Sequence, residues 1–242
     1  MGTKITPYQQ KEGSKKEQVT QMFDSIAHSY DFLNHFLSLG IDIIWRKRAV
    51  KEIATVNPKQ ILDIATGTGD LAIECARLNP HKIIGVDISN NMLNVGRTKI
   101  SKKGLDSIID MQNGDSENLS FEDNKFDAIT AGFGVRNFEN LDKGLSELFR
   151  VLNSGGKIAI LEPSEPKTFP FKQIYLIYFN TLLPFVGKIF SKDSSAYTYL
   201  PNSVAAFPSG DEFVEKLTKA GFKNANHTPL TFGIAALYTA NK

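Results

Sequence analysis

Residues 61–70 read Ile61-Leu62-Asp63-Ile64-Ala65-Thr66-Gly67-Thr68-Gly69-Asp70. The stretch is a short apolar run with one acidic residue, followed by two glycines after which a helical pattern begins. A second apolar run, Ile83-Ile84-Gly85-Val86, ends in Asp87. In doubly wound α/β sheets such glycines let the backbone approach a ligand closely, and an acid on the next strand accepts hydrogen bonds from ribose hydroxyls. The two runs therefore predict a site for an adenosine-containing cofactor, with Gly67, Gly69 and Asp87 as contacts.

Three acidic residues favour S-adenosylmethionine (SAM) as that cofactor. Asp63 lies within the first strand, where its carboxylate could reach a ligand ammonium directly or through water. Asp70 begins the next helix and would repel a pyrophosphate at the helix end that normally attracts one. Asp115 follows the third strand-like run and is placed to meet an adenine amino group. A dinucleotide remains the alternative, because Gly67 to Ala72 also satisfies the looser dinucleotide pattern.

The order of apolar runs and helical patterns predicts an α/β fold. Strands alternate with helices, which is typical of a doubly wound, mostly parallel sheet, here with seven strands. The predicted strands are 60–65, 82–87, 108–112, 126–131, 157–162, 222–228 and 230–240. The predicted helices are 17–30, 42–53 with Asp42 as N-cap, 70–78, 89–103, 141–152 and 209–220. The last two strands predict an antiparallel hairpin with its turn at Thr228-Pro229.

Composition bounds the class of protein and its surroundings. With 41% apolar and 22% charged residues, the chain is typical of a soluble globular protein, and a net charge of +2 gives no argument for nucleic acid. We predict a disordered tail over 1–16, without a secretory pattern, and one domain over 17–242 with a helical insertion at about 164–207. This indicates a cytoplasmic protein. Cys75 is expected to be a small core residue, and the histidines lack metal-ligand spacing, so no metal site is predicted.

Several segments outside the glycine loop carry a narrower resemblance. The chain resembles the class I SAM-dependent methyltransferases, and among them the enzymes that C-methylate menaquinone and ubiquinone precursors. The glycine loop is common to the whole superfamily, whereas the narrower resemblance depends on Met22 to Ala27, Tyr30 to Asn34, Leu37 to Arg46, Phe133 to Phe138, Tyr197 to Pro208 and Pro229 to Ile234.

The resemblance implies transfer of a methyl group from SAM to a ring carbon of a reduced polyprenyl quinone. The acceptor would be demethylmenaquinol or, alternatively, a methoxy-polyprenyl-benzoquinol. By position, the resemblance makes Thr68, Asp87, Asp115 and Ser116 contacts of SAM. The competing hypotheses are a methyltransferase for another small or lipid-like acceptor, a dinucleotide-dependent quinone oxidoreductase, and a SAM-binding scaffold without turnover.

Arg136 and Asn137 are the predicted catalytic pair. Arginine is too basic to accept a proton, so Arg136 would stabilise a developing phenolate or orient a water, and Asn137 could bind the second ring oxygen. The alternative is that Arg136 ties its loop to the following helix through Glu139 or Asp142. Tyr30 ends the first predicted helix and could fold over the cofactor as part of an N-terminal helical lid. His28 and His35 are the alternative bases.

The aromatic-rich stretch Phe169 to Phe190 admits three interpretations. It could form core helices of the insertion, a tunnel for a polyprenyl tail, or a surface that touches the membrane. It is too short and too interrupted to span a bilayer. For a lipid-like quinol we favour a tunnel combined with a transient membrane or homodimer face, which would place the protein at the inner face of the membrane.

Overall fold

The computed structural model describes residues 5–8, 12–178 and 195–242. Within these residues a single sheet is flanked by helices. The strands are β1 (Gln60–Ile64), β2 (Lys82–Asp87), β3 (Ile109–Asn113), β4 (Phe126–Gly132), β5 (Leu152–Pro163), β6 (Lys223–Leu230) and β7 (Ala235–Asn241). The helices are α1 (Lys15–Leu37), α2 (Ile41–Ile53), α3 (Asp70–Cys75), α4 (Asn90–Lys102), α5 (Leu141–Val151), α6 (Phe171–Ile177), α7 (Ser195–Ala206) and α8 (Asp211–Lys219).

The seven strands are arranged in the order β3-β2-β1-β4-β5-β7-β6. β1 to β5 pair in parallel, and β7 runs antiparallel to both of its neighbours. The chain starts in the middle of the sheet, moves outward to β3, and returns to the other side of β1 with β4. The gap between β1 and β4 is therefore the switch point at which such sheets bind ligands. The predicted fold class is confirmed.

Burial on both faces explains the continuous apolar runs of the central strands. Leu62, Ile64 and Ile129 belong to one core cluster, whereas Ile61 and Ala128 belong to a second cluster. Because neighbouring residues of a strand point to opposite faces of the sheet, each apolar run contributes side chains to both core clusters. Cys75 is fully buried in the second cluster, as predicted.

Two predictions at the sheet edge and in β5 are wrong. The turn between β6 and β7 lies at Thr231–Gly233, and Pro229 lies inside β6, paired with Ala236. Since β6 is an edge strand, a proline without an N–H is tolerated there. β5 begins at Leu152, before the expected start at 157, because its pairing with β4 continues across an irregularity in register between Phe126 and Ala128.

The amino-terminal helix is longer than the sequence pattern indicated. α1 begins at Lys15, inside the segment predicted as a tail, and Ile5 and Tyr8 pack against the buried Val19 and Met22. These contacts differ from the predicted disorder of residues 5–8; residues 1–4 and 9–11 lie outside the described residues. The N-cap of α2 is Gly40 and not Asp42, because the Asp42 carboxylate instead faces Arg46 Nη1 at 2.7 Å.

Candidate active site

The loops that follow β1, β2, β3 and β4 enclose a cavity at the carboxyl edge of the sheet, and α1 covers it. A Cβ atom added to Gly134 would lie 2.3 Å from the Cβ of Ala65, so the loops after β4 and β1 are in direct contact. The cavity is lined by Lys16, Val19, Phe23, Tyr30, Ala65, Gly67, Asp87, Ile88, Met92, Asp115, Ser116, Glu117, Gly132, Phe133, Gly134, Asn137, Phe138 and Glu139. Most of the predicted site residues therefore converge on one place.

Asp63 stabilises the glycine loop by hydrogen bonding. Gly67 and Gly69 have φ of 55° and 80°, the left-handed region that glycine adopts without strain. Asp63 is fully buried, and its two carboxylate oxygens accept hydrogen bonds at 2.6 Å from the hydroxyls of Thr66 and Thr130. Asp63 does not line the cavity, and its predicted contact with a ligand ammonium, direct or through water, stays a prediction. Burial raises its pKa to about 6.

Asp87 is one of the acidic residues that line the cavity. Its Oδ2 accepts a hydrogen bond from the backbone N–H of Gly67 at 2.8 Å, and its Oδ1 accepts one from Ser89 N–H at 2.8 Å. These two bonds fix the carboxylate beside the glycine loop. Burial raises the pKa of Asp87 to about 6.

Asp115 and Ser116 line the cavity beyond β3, next to a lysine from the helical lid. Lys16 Nζ lies 2.6 Å from Asp115 Oδ2 and 3.5 Å from Glu117 Oε2. The other oxygen of Asp115 accepts the backbone N–H of Glu117 at 2.9 Å. Asp115 therefore has both a positioned carboxylate and a cationic neighbour on α1.

The carboxyl-terminal half of α1 is tied to the glycine loop by an ionic network. The hydroxyl of Thr68 donates to Asp31 Oδ1, and Lys99 Nζ lies 2.6 Å from Asp31 Oδ2 and 2.5 Å from Asp70 Oδ1. The hydroxyl of Thr68 thus binds the lid helix, and its predicted contact with SAM stays a prediction. The predicted lid is thus joined to the loop that it covers.

Neither of the two histidines proposed as bases lies in the cavity wall. His28 is exposed on α1. His35 Nδ1 lies 2.8 Å from Asp42 Oδ2, and its Nε2 lies 3.5 Å from Asp70 Oδ2. His35 thus faces the carboxylates that join α1, α2 and α3.

Arg136 is bound within the protein by a partner that the sequence did not indicate. Its Nη1 lies 3.0 Å from Glu162 Oε2 and also donates to the carbonyl of Phe133, while its Nε donates to Ser203 Oγ at 3.3 Å. Asp142, one of the two partners in the alternative interpretation, has Lys216 Nζ 2.7 Å from its Oδ1. Glu162 is fully buried at the end of β5 and accepts the backbone N–H of Val135 at 2.6 Å. Arg136 and Glu162 together shape the loop that follows β4.

Asn137 and Tyr30, two of the predicted catalytic residues, both line the cavity. Asn137 is 9% exposed and comes from the short turn Val135–Asn137. Tyr30 stacks edge-on against Phe23 of the same helix, with ring centroids 5.9 Å apart. Phe133 and Phe138 add further aromatic surface to the same walls.

Four charged residues of the site, Lys16, Lys99, Glu117 and Glu162, were missed by sequence analysis. Glu162 could have been found, because it stands at the carboxyl end of β5 just as Asp87 stands at that of β2. Lys16 lay in the predicted tail and gave no such signal. Among the residues that the structure describes, no group of three or more His, Cys, Asp or Glu could hold a metal ion.

A family model described as the ubiE/COQ5 methyltransferase family matches residues 11–242. The chain belongs to this family. It is 52% identical over 240 residues to the demethylmenaquinone methyltransferase of Bacteroides fragilis, covering 99% of this chain and 98% of that one. It is also 46% identical over 230 residues to the ubiquinone/menaquinone biosynthesis C-methyltransferase UbiE of Geotalea daltonii, covering 94% and 97%.

Solved structures agree on the fold. A SAM-dependent methyltransferase from Aquifex aeolicus matches with a TM-score of 0.53 at 18% identity, covering 75% of this chain and 81% of that one. The [4+2]-cyclase SpnF matches with a TM-score of 0.58 at 18% identity, covering 94% and 96%. Proteins with such different activities share this architecture. These structural similarities therefore show the fold and not the activity.

As a member of the ubiE/COQ5 family, the protein is a methyltransferase whose methyl donor is SAM. The residues present fit this donor. The backbone of Gly67 is open to the cavity, the Asp87 carboxylate lies beside it, and Asp115 and Ser116 line the next part of the wall. When bound, SAM supplies an electrophilic methyl group on a sulfonium. No helix among the described residues is long and apolar enough to cross a membrane.

SAM affinity should depend on the ionisation of Asp87. The ionised carboxylate is the better acceptor for ribose hydroxyls, and its pKa is about 6 in the free protein. We therefore expect the Kd for SAM to be constant well above pH 6 and to rise about tenfold per pH unit below it. Calorimetric titrations across this range measure the effect.

The Asp87→Asn variant is the control for this pH dependence. Asparagine keeps one oxygen acceptor beside the glycine loop but does not titrate. The Kd of this variant for SAM should therefore be higher than that of the wild type and independent of pH. An unchanged pH dependence in Asp87→Asn would assign the effect to another group. The pKa of Asp63 is also raised to about 6, but Asp63 does not line the cavity. The Asp63→Asn variant shows whether its ionisation contributes to the pH dependence.

Proposed function

We propose that this enzyme C-methylates demethylmenaquinol, with the corresponding methoxy-polyprenyl-benzoquinol as the alternative acceptor. The observation that carries the proposal is the composition of the cavity. Its lining combines the polar residues Asp87, Asp115 and Ser116 with Tyr30, Phe133, Asn137 and Phe138. An aromatic wall with few polar groups suits a flat hydroquinone ring. The relatives named above support the choice of a quinone precursor.

The main contribution of the protein to this reaction is to position the two reactants. A ring carbon of the quinol forms a bond to the methyl carbon while the bond from that carbon to the sulfonium sulfur breaks. The ring carbon then gives up its proton to the solvent, and the electron pair of that C–H bond restores the aromatic ring. Because the sulfonium is already a good leaving group, holding the two partners in line and excluding water contribute most. The lid α1 and the buried loop after β4 serve these purposes.

Asn137, Tyr30 and Arg136 have separate roles toward the acceptor. Asn137 hydrogen-bonds a ring oxygen, and Tyr30 closes the cavity over the ring. Arg136 acts as a positioning residue, because its guanidinium is bound to Glu162, Ser203 and the Phe133 carbonyl. Its positive charge remains next to the loop that carries Asn137.

Side-by-side acceptor assays test the substrate. Labelled SAM is incubated anaerobically with chemically reduced demethylmenaquinol or methoxy-polyprenyl-benzoquinol. We expect label on the naphthoquinol. Label on the benzoquinol alone would assign the alternative substrate, and label on neither, with SAM binding intact, would overturn both.

We further propose that the protein meets its lipid-like substrate at a membrane surface through an apolar face beside the cavity. This face comprises Phe169, Ile174, Ile177 and Phe232, with exposed fractions of 81%, 59%, 66% and 66%. Phe171 stacks on Phe232 with ring centroids 3.9 Å apart, which joins α6 to the turn before β7. Both segments lie at the carboxyl edge of β5, the edge that holds the cavity. Residues 179–190 of the predicted aromatic stretch lie outside the described residues.

A double substitution tests this face. In Phe169→Ser/Phe232→Ser, two exposed aromatics worth about 1.5–3 kcal/mol each on burial are lost. We expect binding to anionic vesicles, measured by co-sedimentation, to fall at least about tenfold, while turnover of a short-tailed quinol stays unchanged. If the wild-type protein dimerises through this face and does not bind vesicles, the face is an interface with a second copy of the chain instead.

A further inference from the structure

A tyrosine from the insertion contacts Asn137 directly. Tyr199 lies on α7, is 3% exposed, and donates a hydrogen bond from its hydroxyl to Asn137 Oδ1 at 3.1 Å. The same side chain packs with Val19 and Met22 of the lid helix. Tyr199 therefore joins three parts of the protein, namely the lid, the insertion and the loop that follows β4.

The Tyr199 hydroxyl is the donor in this hydrogen bond, because its partner atom, the amide oxygen Oδ1, carries no hydrogen. Burial raises the pKa of Tyr199 to about 12, so the hydroxyl keeps its proton and can donate. A side-chain amide has an acceptor at one end and a two-proton donor at the other. Once Oδ1 is bound by Tyr199, the nitrogen is the end of Asn137 that can serve a ligand in the cavity.

The reaction needs a donor at this point. Before the ring carbon attacks, a hydroxyl oxygen of the quinol gives up its proton to the solvent and carries negative charge, which flows into the ring as the bond to the methyl carbon forms. A donor fixed beforehand toward that oxygen stabilises the charge, whereas an amide turned the other way would present its own oxygen and repel it. The orientation of Asn137 therefore affects the rate more than the binding of either substrate.

We infer that Tyr199 is a positioning residue that holds the Asn137 amide with its nitrogen toward the cavity, as donor to an anionic quinol oxygen. The inference rests on the proposed function, since it assumes a phenolic acceptor. It also explains why the insertion returns to the catalytic loop, because Ser203, one helical turn further along α7, accepts from Arg136 Nε.

Tyr199→Phe tests the inference, because phenylalanine keeps the packing against Val19 and Met22 and removes only the hydroxyl. We expect kcat for the quinol to fall about tenfold with KM and the Kd for SAM nearly unchanged. The rising limb of the kcat–pH profile should move to higher pH, because the quinolate is less stabilised. A residue that acted on stability alone would not move that profile.

Two further variants complete the test. Asn137→Ala should shift the profile in the same direction, and Tyr199→Phe/Asn137→Ala should be no slower than Asn137→Ala alone. Tyr238→Phe is the matched control, because its buried hydroxyl accepts from Gly210 N–H at 2.9 Å, away from the cavity, and it should leave the profile in place. An unmoved profile in Tyr199→Phe, or losses that multiply in the double variant, would overturn the inference while leaving the proposed function intact. Wild-type protein that binds SAM but methylates no quinol would refute both.

Discussion

Replacing Asp87 with alanine should raise the Kd for SAM about 100-fold. A carboxylate that accepts hydrogen bonds from two hydroxyls of one ribose contributes roughly 1.5–3 kcal/mol through such charged bonds. Asp87 is placed for this role because the N–H groups of Gly67 and Ser89 already hold both of its oxygens beside the glycine loop. Calorimetric titration of wild type and variant with SAM gives the ratio.

The control for this prediction is Asp110→Ala. Asp110 is an exposed carboxylate on the neighbouring strand β3 and contacts Gln112 Nε2 at 2.7 Å. Removing it changes the net charge by the same amount without touching the cavity, so the Kd should stay at the wild-type value. Equal losses in the two variants would show a general effect of charge, and an unchanged Kd in Asp87→Ala would remove Asp87 from the binding site.

Breaking the ion pair between Arg136 and Glu162 should cost about 3–5 kcal/mol of unfolding free energy. The Arg136 side chain is 8% exposed and the Glu162 side chain is fully buried, so either single variant leaves the remaining partner without its counter-charge. We expect Arg136→Met and Glu162→Gln each to show this loss in urea unfolding. Lys157 and Glu52 form a more exposed pair, with nitrogen and oxygen 3.1 Å apart. Lys157→Met should cost at most about 1 kcal/mol.

The double variant Arg136→Met/Glu162→Gln shows whether the pair is the cause. It buries no charge at this position, so it should be more stable than either single variant. Losses that simply add would mean that each residue acts through separate contacts, such as those of Arg136 with Ser203 and the Phe133 carbonyl.

The topology and the adenosine side of the cavity could be predicted because both depend on local sequence. Each strand of the parallel sheet is a short apolar run, and each run ends where the site begins. Gly67, Asp87 and Asp115 follow directly from those ends, whereas Ser116 was implied by the family resemblance. The edge hairpin was misplaced, because a proline was taken to mark a turn, whereas an edge strand tolerates Pro229.

The partners of the catalytic loop could not be predicted, because they depend on contacts between residues distant in sequence. Arg136 pairs with Glu162 on a neighbouring strand, 26 residues further along the chain. Asp63 belongs to a strand that is buried on both faces, so the apolar pattern does not tell which way its carboxylate points. Tyr199 contacts Asn137 and Lys16 lines the cavity because the insertion and the lid fold toward this loop.

The most direct test of the account is the position of the transferred methyl group. SAM labelled in its methyl group with deuterium is incubated anaerobically with demethylmenaquinol, and a parallel sample contains the oxidised quinone. We predict that the label appears on a ring carbon, detected by mass spectrometry and NMR, and only with the reduced acceptor. Label on a ring oxygen, or equal transfer to the oxidised quinone, would contradict C-methylation of an electron-rich quinol.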